Sequence, residues 1–200
     1  MDNLDKFQNI IVGKVIKLIP LSLLHKSELV AASSDGNLSE LWFTNVPNEK
    51  TIDQYIDVAL SGKSKGIALP FVVQDIASGK IVGSTRLCNI DIDNRRAEIG
   101  YTWYAKSYQR SGVNTDCKLL MLSLAFEQLN AIAVEFRTHY HNHVSRTAIA
   151  RLGAKQDGIL RNHRIHPDGE LRDTVVFSII ESEWPLVKKS LLFKQSQYLN

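Results

Sequence analysis

The 200-residue chain is 44% hydrophobic and 22% charged with a formal net charge of +3, the composition of one soluble globular domain able to bury a real core. That mild positive balance falls well short of a nucleic-acid-binding tail and suits a small anionic ligand equally well. No apolar run reaches the roughly 18 residues of a membrane span. The first residues carry acids and no apolar signal core, and the two cysteines, Cys88 and Cys117, lack any CxxC spacing, so they read as reduced packing residues in a cytoplasmic protein.

Residues 11–190 read as a single domain, with 1–10 and 191–200 as terminal extensions; no repeat or low-complexity linker divides it. Val12 to Ile19 reads as a strand stopped by Pro20. Leu21 to Ala32 reads as a helix running into the turn SSDGN, and 41–48 (LWFTNVPN) as an aromatic-bearing loop. Ile52, Tyr55, Ile56 and Ala59 fall at helical spacing, and Thr51 with Gln54 spells a capping box. Ile67 to Asp75 and Lys80 to Ile90 read as a hairpin around Ala77-Ser78-Gly79. After the turn DIDNRR, Ala97 to Tyr104 is a third strand.

Asn114 to Leu129 is apolar almost all round and predicts a helix buried against a sheet. Ala133 to Thr138 follows as a strand, then Val144 to Leu152 as a short helix ended by Gly153, a natural residue for the position after a helix. Strands at 155–165 and 171–180 flank HPDGE. Strands on both sides of a central helix predict a mixed α/β sheet.

The stretch 96–118, RAEIGYTWYAKSYQRSGVNTDCK, holds the chemistry. A strand ends, a short basic loop with one glycine follows, and a long helix opens. Unpaired amides and the dipole at such a helix start bind phosphate oxygens. A lone glycine loop is a weak signal, and a plain loop before a core helix reads as well from spacing alone.

The surrounding pieces narrow this. EIGYTWY (98–104), Gln109-Arg110-Ser111-Gly112-Val113-Asn114, LAFEQL (124–129), Asn142-x-x-Ser145 with Leu152-Gly153-Ala154, and HPDGELRDTVVFS followed by Glu183-Trp184 occur in order. Together they resemble the GNAT acetyltransferases, and within them the branch of ribosomal-protein N-terminal alanine acetyltransferases. The likeness is close over 96–185 and holds in outline over 12–90. It implies an α/β fold with a mixed, twisted, splayed sheet of about seven strands and helices on both faces. It also implies acetyl-CoA as cosubstrate, without a metal.

At the phosphate loop Gln109 and Gly112 fit the family pattern, while Asn114 stands where a small residue is usual and suits a helix N-cap. The resemblance implies that amides of Ser111 to Asn114, with Gln109 and Arg110 beside them, hold the pyrophosphate. It implies that Ala97–Tyr104 and Ala133–Thr138 part, so that the amides of Trp103 and Tyr104 meet the pantetheine arm. Strand alternation puts Glu98, Gly100 and Thr102 on one face, and Glu98 there is a candidate general base; an ion pair with Arg95, Arg96 or another basic side chain is its plain alternative.

The Tyr that many family members place seven residues after the Asn of the fourth-helix motif is absent, since Ile149 stands there. Ser145 resembles the Ser that serves as proton donor in the ribosomal-protein branch, and is equally an ordinary helix-start hydroxyl. Asn142 would hold the pantetheine or cap that helix. Trp42 and Asp173 fall where the family builds its acceptor site, with core cover or an ion pair as their alternatives. The run HYHNH (139–143) lacks a ligand to complete a metal set and reads as polar loop histidines.

The expectation is acetyl transfer to a primary amine, a protein N-terminus or a small amine, by direct attack in a ternary complex. The alternative is a non-catalytic acyl-CoA-binding or sensing protein. Neither membrane nor nucleic acid is an expected partner, and a homodimer is open.

Overall fold

The computed structural model describes residues 4–198 apart from Pro167. Residues 1–3 of the lead-in, Pro167 of the HPDGE turn and the last two residues of the C-terminal extension lie outside the described residues.

Eight strands form one open sheet, in the order β1-β2-β3-β4-β5-β6-β8-β7. They are β1 (Ile11–Val12), β2 (Ile16–Pro20), β3 (Leu69–Asp75), β4 (Ile81–Asp91), β5 (Arg96–Tyr104), β6 (Ala133–His139), β7 (Lys155–Ile165) and β8 (Leu171–Ile180). The helices are α1 (Lys26–Ser34), α2 (Ile52–Ser64), α3 (Gly112–Ser123), α4 (His143–Leu152) and α5 (Trp184–Gln197). The sheet has eight strands rather than about seven because the expected strand Val12–Ile19 folds back on itself. Gly13 N donates to Ile16 O at 2.8 Å, and Ile11 pairs with Leu18.

Alternation along β2, β3 and β5 splits the core in two. Leu18, Phe71 and Ile99 pack with Val113, Cys117, Met121 and Leu122 of α3, Ile149 and Leu152 of α4, and Leu191 of α5. Val72 and Trp103 pack on the other side with Leu29 of α1 and Ile52, Tyr55, Ile56 and Ala59 of α2. The helical spacing read in 52–59 is therefore the buried stripe of α2. The helix starts differently from expectation: Thr51 Oγ1 accepts from Asn48 N (2.9 Å) and not from an amide of the helix, while Asn48 Oδ1 accepts from Lys50 N (2.9 Å) and Thr51 N (3.2 Å). Asn sits better here because its short amide side chain reaches amides two and three residues on.

The buried helix also differs in detail. It begins at Gly112, and past Ser123 it loosens into a π-helical turn, where Leu129 N donates to Leu124 O at 3.0 Å. Its N-cap is Ser111, whose Oγ accepts from Val113 N at 3.3 Å, so Asn114 lies inside the first turn. Gly153 ends α4 with φ +107°, a conformation glycine adopts without strain. The helix α5 carries the chain past residue 190 as ordered structure, with Leu191 and Gln195 buried.

One carboxylate ties the two ends of the chain together. Asp116 of α3 is fully buried and accepts from Val15 N (2.7 Å), Ile16 N (3.1 Å) and Gln195 Nε2 of α5 (2.6 Å). A side chain on Gly13 would collide with that carboxylate, so the turn between β1 and β2 needs glycine at this point.

Candidate active site

Two neighbouring strands part in mid-sheet. β5 and β6 are parallel and pair only over Arg96–Glu98 with Ala133–Glu135. Beyond Glu98 each runs on, β5 to Tyr104 and β6 to His139, with no ladder between them. The sheet therefore opens as a fork whose vertex is the Glu98–Glu135 pair.

A bulge shapes the β5 side of the fork. The register against β4 slips between Ser84 and Arg86, and Tyr101 takes a left-handed φ of +52°. The extra residue reverses the alternation. Glu98 and Gly100 share a face, but Thr102 turns to the α3 side, where its Oγ1 accepts from Lys118 Nζ at 2.7 Å. The expected common face of Glu98, Gly100 and Thr102 is thus broken, because strict period-two alternation fails across a bulge. Tyr101 and Trp103 instead turn toward α2. Trp103 Nε1 donates to Tyr55 Oη (3.1 Å), and the Arg86 guanidinium lies between the Tyr55 and Tyr101 rings at 4.3 and 4.1 Å.

The backbone at the fork's open end is aimed by the same ladder. Ala105 N donates to Val82 O at 2.8 Å, and Trp103 O abuts Gly83. In trans peptides the partner groups point oppositely, so the Tyr104 N–H and C=O face the fork. Gln109 Nε2 takes that C=O at 3.0 Å and braces the strand end against the loop. The loop then curls through Arg110 (φ +58°) into the capped start of α3. First-turn amides, the helix dipole and Arg110 meet there, an arrangement suited to phosphate oxygens. Gly112 lies against Tyr198, just past α5; an added Cβ would stand 3.1 Å from the Tyr198 Cβ.

Glu98 sits at the vertex on the face away from α3, since its neighbours Ala97 and Ile99 pack into the α3-side core. Its carboxylate accepts from Asn89 Nδ2 at 2.8 Å and stands 3.6 Å from Arg137 Nε, with 12% of the side chain exposed. Burial raises its pKa above the ordinary glutamate value, against the pull of Asn89 and Arg137. Of the expected alternative partners, Arg95 meets Glu181 and Arg96 meets Glu135, while the basic side chain beside Glu98 is Arg137. Arg137 binds Glu135 through Nε and Nη2 (3.0 and 2.8 Å), so its main ion pair is not with Glu98. A shallow cavity of about 270 Å³, lined by Arg96, Glu135, Arg137, Leu160 and Val176 among others, opens beside this group.

Asn142 caps α4, its Oδ1 accepting from Ser145 N at 3.0 Å. The Ser145 side chain is half-buried and its hydroxyl makes no hydrogen bond among the described residues. Asp173 is engaged through both oxygens, with Arg161 Nε at 3.0 Å and Asn162 N at 2.8 Å. Trp42, 59% exposed, stands edge-on to His139 at 4.9 Å and near His141 and His166. His139 Nε2 lies 3.1 Å from His166 Nε2. Trp42 and Asp173 thus share the far end of β6, where Tyr140 N donates to Asp173 O.

The sequence reading missed Lys118, Arg86, Arg137 and Asn89. Lys118 alone left a trace, as a cation heading the otherwise apolar run LLMLSLAF.

A splayed α/β sheet with an amide-rich helix start at its open end defines an acyltransferase architecture, and the comparisons agree with it. The family described as Acetyltransferase (GNAT) domain matches residues 16–155, and the chain belongs to the GNAT acetyltransferase family.

Among its relatives, YdaF of Bacillus subtilis (strain 168), named provisionally as a ribosomal N-acetyltransferase, is 33% identical over 106 residues. That match spans 53% of this chain and 57% of YdaF, so little more than half of that relative's length is matched. The crystal structure of a GCN5-related N-acetyltransferase from Brucella melitensis superposes with a TM-score of 0.84 at 31% identity, covering 94% of this chain and 86% of that one. Mycobacterium smegmatis RimJ in complex with CoA-disulfide shares the fold at a TM-score of 0.77 and 21% identity, over 92% and 93% of the two chains.

Proposed function

We propose that this protein transfers the acetyl group of acetyl-CoA to a primary amine by direct attack in a ternary complex. The observation that carries the reading is the fork, with Glu98 at its vertex and the capped α3 terminus at its open end. The residues suit the cosubstrate. First-turn amides and Arg110 match the pyrophosphate, and the inward-facing Tyr104 N–H suits an amide-bearing pantetheine arm. Acetyl-CoA would supply the activated acyl group.

Glu98 would take the amine proton, directly or through water, on the face opposite α3. Ser145 is a candidate for holding a proton near the leaving sulfur. Cys88 and Cys117 argue against a covalent acyl-enzyme. Both are buried, and burial pushes the Cys88 thiol up to about 12 and raises Cys117 as well, so neither is a ready nucleophile.

The branch likeness and the name of the YdaF relative support a protein N-terminal amine as the acceptor. A small amine remains the second acceptor class. Calorimetric titration of the purified protein with acetyl-CoA, followed by thiol release with peptide N-termini and small amines, tests the proposal. Binding and turnover are expected; absence of acetyl-CoA binding overturns it. Binding without turnover on any amine would favour the acyl-CoA-sensing alternative, which the Ile149 position favours.

A further inference from the structure

Lys118 is 5% exposed, yet it pairs with no carboxylate among the described residues. The neighbouring Asp116 spends its oxygens on the β1–β2 turn and α5. Nζ has three protons to donate and, among the described residues, a single acceptor, Thr102 Oγ1, itself 2.8 Å from Thr85 Oγ1. A buried ammonium without a counter-ion is costly and calls for a compensating use.

Its place supplies that use. Thr102 belongs to the part of β5 that has left β6, and Phe136, whose ring centre lies 5.8 Å from Nζ, follows the last paired residue of β6. The ammonium therefore lies on the α3 side, between the parted stretch of β5 at Thr102 and the Phe136 ring of β6, while Glu98 sits on the opposite face. The sheet separates an acidic proton source from a carboxylate, the disposition a two-sided proton transfer needs.

We propose that Lys118, in place of the candidate Ser145, is the catalytic acid of the transfer, protonating the CoA thiolate as it leaves. This rests on acetyl-CoA being the donor. When the tetrahedral adduct collapses, the carbon–sulfur bond breaks, its electron pair goes to sulfur, and an Nζ proton follows. The proton released by the acceptor amine reaches solvent through Glu98, and Nζ is recharged from solvent. In sum, an amine N–H becomes a thiol S–H. Burial lowers the Lys118 pKa to about 8, close to that of the thiol it would serve. The titratable groups around it are Cys117 on its own helix and Cys88 on β4, both held protonated; Thr102 of β5 and Phe136 of β6 carry no charge. The position of the missing family Tyr is filled by buried Ile149, which cannot do this work.

The test compares wild type with Lys118→Met. The variant is expected to bind acetyl-CoA within a few-fold of wild type and to lose kcat by about 100-fold. It should also lose the alkaline limb, the fall in wild-type kcat as pH rises past the ammonium's pKa. A kcat within about threefold of wild type, or a retained limb, overturns the proposal.

A second measurement does not depend on the variant folding. Ultraviolet difference titration of CoA bound to wild type should place its thiol pKa below the free value of about 8.5. An unchanged or higher value overturns the proposal even if the variant is inactive. If wild type binds neither CoA nor acetyl-CoA, the donor reading fails and Lys118 loses this role with it.

Discussion

Glu98, the proposed general base, is held at a cost to stability. Its folded pKa is raised by burial, so the folded protein holds that proton more tightly than the unfolded chain does. The group's stability contribution is complete at low pH and is lost as pH rises through the raised value. At neutral pH its charged form is a net cost. Glu98→Gln is therefore expected to melt no lower than wild type at pH 7, while kcat falls about 100-fold and acetyl-CoA affinity is kept. Wild-type kcat should decline on acidification from a point above the ordinary glutamate range, since a base must be deprotonated, and the variant should lack that limb. Calorimetry, melting curves and thiol-release kinetics on the two proteins check all three outcomes; a variant with near-normal kcat would return Glu98 to a structural role. Gly100 matters to the same residue. An added Cβ would lie 3.0 Å from Glu98 Oε1 and 3.3 Å from Cys88 Sγ, so the bare backbone keeps room for the carboxylate.

At the scale of elements, Asp116 is the joint between the first hairpin and the last helix. Asp116→Ala strands two backbone amides and the Gln195 side chain in a buried place, a loss of about 3 kcal/mol. In a chain of this size that lowers the thermal midpoint by roughly 6–12 °C. Gly13→Ala should destabilise for the same reason, because its methyl group displaces the carboxylate. The double variant should cost less than the sum of the two, as both remove one interaction. Strictly additive melting data would mean that Asp116 and the turn are independent. The bulge is the other joint: it sends Thr102 to Lys118 and Tyr101 to Arg86, so one extra residue sets both faces of the β5 wall of the fork.

Over the whole molecule, the Trp42 loop, the end of β6 and the β7–β8 turn meet at the histidine cluster. Burial and the neighbouring Arg172, His166 and His141 press the His139 pKa from 6.5 down to about 4. A base with a depressed folded pKa adds stability that is present above its unfolded value and is lost as pH falls through the folded one. The protein should lose about 2–3 kcal/mol, roughly 4–12 °C of midpoint, between pH 6.5 and about 4 from this group. His139→Gln should flatten the decline. Parallel melting curves for the two proteins over that range would assign the acid sensitivity to other residues.

Element types and their order were legible along the chain, because hydrophobic period and turn residues are local properties. The buried stripe of α2, the hairpin of β3 and β4, and the glycine ending α4 follow from spacing alone. The loop opening α3 was legible too, and with its neighbours it carried the family likeness. Three things were not. The β1–β2 fold-back depends on Asp116, which lies about a hundred residues away in sequence. The facing of Thr102 and Tyr101 depends on a bulge, which leaves no period in the sequence to read. The place of Lys118 depends on two strands parting, a property of the assembled sheet. Local periodicity thus determined what each segment is. Only packing across distant segments decided which charges are buried, which faces they share, and where the sheet opens, because burial and register arise between segments and not within them.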